Sequence, residues 1–261
     1  MKRYAAVAIV CAFLVAGLLL VAHGDGEPES GGDVGVARVG DGGSTEEEPE
    51  AGQAGAVSTE PKAGMEKLAL DLPEPVFEGT PTNFRDVRLS DDIGESRGDV
   101  YVPEGTELLS QGKPVTSSWD LPIIGELDYI TDGSKEPHDG NYVSLGPGKQ
   151  WVQVDLEDTY RIAAIVLWHF HLRARVYHDV VVQVSTDKDF EENVTTVFNN
   201  DYDNSLGFGI GDNWEYVETN EGKLIDGGDA KGRYVRLYSK GNTSNEMNHY
   251  IEVAVYGRPA K

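Results

Sequence analysis

Six short segments rich in β-branched and aromatic residues succeed one another in the second half of the chain, and clusters of turn-forming residues separate them. Side chains alternate clearly in two of them; Val180, Val182 and Val184, for example, share one face of an extended strand. None of the six has the period of an amphipathic helix. Many short strands separated by turns predict an all-β sandwich or barrel. The predicted strands are 151–156, 161–170, 178–185, 194–198, 233–239 and 249–256.

One predicted strand differs from the others because residues 162–168 are apolar at every position. Such a strand is covered on both faces, whereas a two-layered sandwich covers only the inner face of each sheet. The preceding residues 66–112 contain apolar side chains and several prolines but no long helix or strand pattern. We therefore expect this Pro-rich segment to lie extended across the outer face of the 162–168 strand.

The N-terminal residues have the order of an export signal. Lys2 and Arg3 precede an unbroken apolar run, and residues 1–24 fit both a cleaved signal peptide and an N-terminal membrane anchor. Either one places the rest of the chain outside the cytoplasm, secreted or anchored to the membrane. Residues 25–65 are acidic with almost no large apolar side chains, which predicts a disordered linker. The expected order is therefore signal or anchor, linker, the 66–112 segment and a domain of residues 113–261.

Charge and cysteine content narrow the classes of function. The formal net charge of -23 disfavours a nucleic acid or an anionic membrane as the partner. The single cysteine, Cys11, lies within the N-terminal apolar run, so the exported part has no disulfide, Cys nucleophile or Cys-containing zinc site. No nucleophile elbow, His-Glu-x-x-His pair or Walker loop is present. These features favour binding over catalysis.

Seven pieces of the chain form a set whose order is informative: 113–118 (KPVTSS), 130–133 (ITDG), 151–156 (WVQVDL), 162–167 (IAAIVL), 181–187 (VVQVSTD), 233–238 (RYVRLY) and 252–257 (EVAVYG). Together they resemble the discoidin domain, or coagulation factor 5/8 type C domain, of the galactose-binding-like superfamily, over about 145 residues. The resemblance implies an eight-stranded jelly-roll β-sandwich that binds sugars, phospholipids or proteins through loops at one end. The family's frequent cysteine pair is absent here, and the loop 136–144 lacks the usual tryptophan.

The same resemblance implies a structural Ca²⁺ ion. Asp132, in the Asp-Gly turn, and Glu252, at the start of the last strand, would share the ion, with backbone carbonyls completing its shell. The alternative is that Asp132 only forms an Asx-turn before Gly133. A second oxygen-rich stretch, residues 199–205, is either an ordinary acidic loop or another cation site.

In sugar-binding relatives, the loop after the 161–170 strand supplies cationic and imidazole donors. Arginine side chains there can donate to vicinal hydroxyls, and an aromatic ring can stack on a sugar. The amide-rich connection 240–249 is long enough to reach the same end. Ion pairing with the many acidic residues is the alternative for the arginines. The predicted ligand-binding residues are His169, His171, Arg173, Arg175, Tyr177, Asn242, Asn245 and His249.

Three histidines admit a different chemistry. His169 and His171 share a strand face by period two, and His178 begins the next strand, so the three could converge on zinc and leave one position for water. No recognised motif places a carboxylate base beside them, and Trp168 and Phe170 fit a core. A His-based metal hydrolase is therefore the less favoured interpretation.

The sequence as a whole predicts an exported, non-catalytic binding module at the cell envelope that recognises carbohydrate or glycoconjugate. The alternative from another class is a protein–protein adhesion or scaffold domain whose partner is an envelope protein. Such a domain would show an exposed apolar patch at the loop end instead of a polar cleft.

Overall fold

The computed structural model describes residues 55–76, 88–91, 93 and 95–260. The predicted signal or anchor, residues 25–54 of the predicted linker, and residues 77–87, 92 and 94 of the Pro-rich segment lie outside the described residues. The described end of the linker is ordered, in contrast to the predicted disorder, because Ser58 is buried and exchanges backbone hydrogen bonds with Tyr101. No helix within the described ranges has the length and apolar character needed to cross a membrane.

The regular secondary structure of the described residues is almost entirely β, as the sequence predicts. Its one helical element is a short 3₁₀ turn, Leu127–Thr131. The strands are β1 (Met65–Lys67), β2 (Tyr101–Pro103), β3 (Glu107–Leu108), β4 (Val115–Ser117), β5 (Val143–Leu145), β6 (Gln150–Trp168), β7 (Val181–Ser185), β8 (Val194–Asn199), β9 (Lys223–Ser239), β10 (Asn248–Tyr250) and β11 (Glu252–Pro259).

The two long strands, β6 and β9, join the two layers of the sandwich because one half of each strand lies in the first layer and the other half lies in the second. The first half of β6 pairs with the end of β9, from Gln150 with Ser239 onward, and its second half pairs with the start of β9, up to Leu167 with Lys223. β4, β7 and β8 complete the first layer, while β3 and β11 complete the second. The predicted jelly-roll β-sandwich is confirmed.

The middle of β6 departs from the sequence prediction of two separate strands. The structure shows one strand with a shift of pairing register between Asp155 and Tyr160. Glu157 has a positive φ of 66° at this point, and both Glu157 and Asp158 are exposed. A bulge bends a strand without ending it. The polar residues therefore mark the place where β6 passes from one layer to the other, not a turn.

The main core fills the space between the layers with alternate side chains of the paired strands. Val152, Val154, Val235 and Leu237 of the first layer are fully buried there. Burial of one such side chain stabilises the fold by about 1.5–3 kcal/mol. The facing residues of the second layer are Ile162, Ile165, Leu167, Val253 and Val255.

A second apolar cluster explains why residues 162–168 are apolar at every position. Ala163, Ala164 and Val166 face outward from the second layer, where Val100 and Val102 of the β1–β2 region cover them. Hydrogen bonds also attach residues that precede the sandwich to β9 and to the turn before it. The Ala56 amide donates to Asp226 Oδ1, while the Ser96 hydroxyl and the Arg97 amide donate to Glu221. The outer face of the second layer is therefore buried as well, and it forms a second hydrophobic core.

Candidate functional site

A small sheet closes one end of the sandwich and fixes the position of His249. β10 pairs with β5, which sets His249 opposite Ser144. Ser144 in turn exchanges backbone hydrogen bonds with Ile123 and Ile124. Backbone pairing on both sides of β5 holds this end rigidly, so the side chains that it carries have defined directions.

The hydrogen bonds of His249 hold it as a neutral imidazole and fix which ring nitrogen carries the hydrogen. Its Nδ1 accepts hydrogen bonds from Arg175 Nη1 at 3.1 Å and from the Tyr177 hydroxyl at 2.8 Å. A guanidinium group can only donate, so Nδ1 is unprotonated and Nε2 carries the hydrogen. Burial, helped by the positive charge of Arg175 and by His169, lowers the pKa of His249 to about 3. The residue is thus a fixed Nε2–H donor over the physiological pH range.

Aromatic rings surround the two donors, Arg175 and His249. The Arg175 guanidinium lies 4.7 Å from the ring centroid of Phe170, and Tyr142 contacts both Phe170 and His249 edge-on. Tyr177 and His249 are buried, whereas Tyr142 and Arg175 are half-buried. We call this surface of Tyr142, Phe170, Arg175, Tyr177 and His249 the shelf. The buried Nε of Arg175 has no hydrogen-bond partner among the described residues, so the guanidinium keeps an unused donor there.

His169 supports the shelf from below instead of contacting solvent. It is fully buried, stacks on the Tyr177 ring at 4.1 Å, and its Nδ1 lies 2.6 Å from Oε1 of Glu218, which is also fully buried. Within the part of the chain that the structure describes, His169 Nε2 and Glu218 Oε2 have no hydrogen-bond partner. A buried His–carboxylate pair fixes the ring orientation, so this pair sets the position of Tyr177 and, through it, of His249.

The other two histidines point elsewhere, in contrast to the converging zinc ligands suggested by the sequence. β6 ends at Trp168, so the period-two face does not extend to His171. His171 Nε2 donates to the Lys135 carbonyl at 2.9 Å, while His178 Nδ1 bonds Glu215 at 3.0 Å. Within the described ranges, the three histidines form no cluster with ligand atoms close enough for one metal ion.

The remaining predicted ligand residues occupy two loops at this end. Arg173 is exposed in the connection after β6. Asn242 is buried and organises its own loop, donating to Asn245 Oδ1 and to the Met247 carbonyl, whereas Asn245 is exposed. Both asparagines line a cavity of about 490 Å³. The bridge between Tyr177 and Asn242 joins the two loops.

The predicted calcium ligands lie next to each other at the Asp-Gly turn. Glu252 is buried and accepts the Gly133 amide at 3.1 Å, while Asp132 is exposed and accepts the Ser134 amide. Burial, with a smaller contribution from the Asp132 carboxylate, raises the pKa of Glu252 to about 8, although the hydrogen bond from the Gly133 amide and the positive charge of Lys135 act in the opposite direction. A buried carboxylate short of positive charge, beside a second one, fits a hard divalent cation.

A separate acidic group lies in the predicted oxygen-rich loop. Oxygen atoms of Asp179, Asp201 and Asp203 lie within 4.8 Å of one another. Asp201 accepts the amides of Ser205 and Leu206, and burial raises the pKa of Asp179. These hydrogen bonds close the loop, so the carboxylates have a local structural role.

An exposed apolar segment, which the sequence analysis did not single out, lies beside the small sheet. Leu121 and Ile123 are 80% and 55% exposed, and Trp119 and Ile124 are also exposed. The Trp119 ring lies against Gly146, where a Cβ atom would come within 2.6 Å of it. The sequence signal was available, since four large apolar residues occur in 119–124 outside any strand pattern.

A jelly-roll sandwich with cationic, imidazole and aromatic side chains gathered at one loop end defines a class of small all-β binding domains. Residues 129–237 match the family model described as a NedA-like, galactose-binding domain of F5/8 type C. This stretch of the chain is similar to F5/8 type C domains, and the resemblance predicted from the sequence is confirmed. No curated protein matches the chain.

Solved structures similar to this chain include several modules of carbohydrate-active enzymes. One is the CBM32 of AlyQ in complex with 4,5-unsaturated mannuronic acid, at 16% identity over 57% of this chain and 95% of that one, with a TM-score of 0.41. Another is chitosan-binding module 1 from a chitosanase/glucanase of Paenibacillus sp. IK-5, at 22% identity over 58% and 99%, with a TM-score of 0.38. A family 89 glycoside hydrolase from Clostridium perfringens is matched over 15% of its length and 59% of this chain, at 19% identity and a TM-score of 0.43.

Proposed function

We propose that this domain is a non-catalytic module that binds carbohydrate at the shelf. The observation that carries the proposal is the pair of fixed donors, Arg175 and the Nε2–H of His249, beside the half-buried ring of Tyr142. Sugar hydroxyls accept such hydrogen bonds, and the apolar face of a sugar ring packs on an aromatic side chain. The family model for residues 129–237, a galactose-binding domain, supports the same class of ligand.

The chemistry of the shelf favours binding over reaction. A general base needs a lone pair that can take a proton from the substrate. The Nδ1 lone pair of His249 already receives Arg175 and Tyr177. Because Arg175 is itself a permanent cation, this side of the shelf offers donors and no base. Such a surface holds a polyhydroxylated ligand without transforming it.

Three further parts of the proposal rest on sequence and charge. The N-terminal residues support export and attachment to, or release from, the cell envelope. A Ca²⁺ ion held by Asp132 and Glu252 would have a structural role, since Glu252 is buried and belongs to a strand of the sandwich. Glycoconjugates of the envelope are the proposed partners.

A glycan array probed with the unaltered protein and with Arg175→Ala tests the function. We expect weak binding, because each neutral hydrogen bond contributes about 1 kcal/mol, and a large loss in the variant. Arg161→Ala is the matched control, since Arg161 pairs with Asp229 on β9 and does not belong to the shelf. Equal array signals for the unaltered protein and Arg175→Ala would remove the shelf as the binding site.

The exposed apolar segment 119–124 favours a second candidate function, adhesion to a protein of the envelope. Leu121 and Ile123 form the exposed patch that such a domain needs beside its binding end. Envelope fragments treated with periodate, which destroys vicinal diols, or with protease distinguish the two functions. Binding that survives periodate but is lost after protease treatment and in Leu121→Ser would support adhesion; the opposite pattern would support carbohydrate binding.

A further inference from the structure

The cavity of about 490 Å³ is lined by His178, which follows the shelf residues Arg175 and Tyr177 in the chain. Arg175 and Tyr177 direct their side chains to His249, whereas His178 faces the cavity. Backbone hydrogen bonds join this segment to the cavity wall, including Thr243 to Val176 and Lys240 to His178. The lining residues are Gly148, His178, Lys240, Gly241, Asn242, Thr243, Ser244, Asn245 and Glu246.

The wall of the cavity is preorganised by two buried asparagines. Asn242 accepts the Ser244 amide and donates to Asn245 Oδ1. Asn248 accepts the Gly241 amide and donates to the Gly146 carbonyl, which attaches the loop to the small sheet. A loop held in this way loses little conformational freedom when a ligand binds, so its polar groups can bind at low entropic cost.

His178 presents a defined acceptor to the cavity. Its Nδ1 bonds the carboxylate of Glu215, which is buried and also accepts the Arg88 amide. A carboxylate accepts, so Nδ1 carries the hydrogen and Nε2 of the neutral ring has a free lone pair. Because Glu215 occupies the Nδ1 edge and the His178 side chain is 34% exposed, the accessible edge is that of Nε2.

The charges around the cavity determine which sugars fit. Lys240 supplies a positive charge, but its Nζ lies 3.7 Å from Asp179. Glu246 lines the cavity, and Glu215 lies behind His178. Among the described residues at the cavity, the negative charges exceed the positive one, so the cavity repels carboxylates and accepts hydroxyl or ammonium groups.

Resting on the proposed function, we propose that this cavity is a second sugar subsite that binds an uncharged or amino sugar residue and excludes an acidic one. Its volume lies within the range of small-molecule sites. His178 Nε2 and Glu246 accept from sugar hydroxyls or an ammonium group, while Lys240 donates. The shelf and the cavity would then bind two sugar residues of one glycan, since residues 175–178 contribute side chains to both.

Amide chemical shifts of the full-length protein, titrated separately with galactose, glucosamine and glucuronic acid, test the subsite. We expect galactose and glucosamine to shift the Ser244 and Asn245 amides saturably, and glucuronic acid to leave them unchanged. Lys240→Met should weaken binding at these amides by about tenfold or more, because the donor that is lost carries a charge. His138→Phe is the control, because His138 is exposed and does not line the cavity.

Two variants separate the subsite from the shelf. Arg175→Ala should abolish shifts at Tyr142 and leave those at Ser244 in place. The surface variant Glu246→Lys should admit glucuronic acid, and its exposed position leaves folding intact. Sugar shifts confined to Tyr142 would overturn the subsite while keeping the proposed function. Binding of glucuronic acid to the unaltered cavity as tightly as galactose would overturn the charge argument.

Discussion

Replacing Val100 and Val102 by alanine should unfold the domain at clearly lower urea concentrations. Both side chains are almost completely buried against the outer face of the second layer, at 2% and 1% exposure. Each substitution removes two methyl-sized groups at about 0.8 kcal/mol per group, so the double variant loses about 3 kcal/mol before any cavity cost is added.

Urea unfolding at constant temperature is the appropriate assay, because a lower midpoint at unchanged slope reports stability alone. Leu72→Ala is the matched control, since Leu72 belongs to the same part of the chain but is 40% exposed; we expect it to change stability by less than about 0.5 kcal/mol. An unchanged midpoint for the double valine variant would show that the β1–β2 region does not contribute to the folded core. A lower slope would instead mean that this region separates before the sandwich unfolds.

Three further predictions concern charged groups. The folded-state pKa of His249 is about 3, below its ordinary value, so its neutral state contributes stability that is complete above about pH 6.5. This stability is lost as the pH falls toward 3, at about 1.4 kcal/mol per pH unit. The melting temperature of His249→Gln should therefore decline less over this pH window than that of the unaltered protein, and parallel curves for the two proteins would refute the argument. Calcium should raise the melting temperature of the unaltered protein, because binding adds about 2.7 kcal/mol to the free energy of unfolding when calcium is in hundredfold excess over its Kd. Asp132→Ala should remove this effect, and a melting curve that a chelator leaves unchanged would exclude the ion. Glu218→Gln weakens a buried hydrogen bond with His169 and should cost about 1–3 kcal/mol in urea unfolding, whereas the exposed Glu192→Gln should be neutral.

The sequence was most informative where one residue pattern has one structural solution. Alternation of valines identified β7 and the end of β9, and the unbroken apolar run 162–168 required cover on both faces. Both inferences use only the geometry of a strand. The join between the two halves of β6 was missed, because exposed polar residues such as Glu157 are equally compatible with a turn and with a bulge.

The candidate site was less accessible to such inference, because hydrogen-bond partners far apart in the sequence determine what each side chain does. His169 and His178 differ in role through Glu218 and Glu215, two carboxylates only three residues apart in a segment without a recognisable motif. Arg175 and His249 were both predicted to face the ligand. Their contact with each other, which fixes the tautomer of His249, depends on the pairing of β10 with β5.

The pairing of β6 with β9 has a consequence for how the chain acquires its fold. The strands that join the two layers bring together partners as distant as Gln150 and Ser239, with β7 and β8 lying between them in the sequence. Loop closure over such separations is slow, and folding rates fall as contacts become less local. The central pair also cannot be completed until the ribosome has passed Ser239. A nascent chain of this design remains unfolded for most of its synthesis, and its exposed hydrophobic strands need protection from aggregation during that interval.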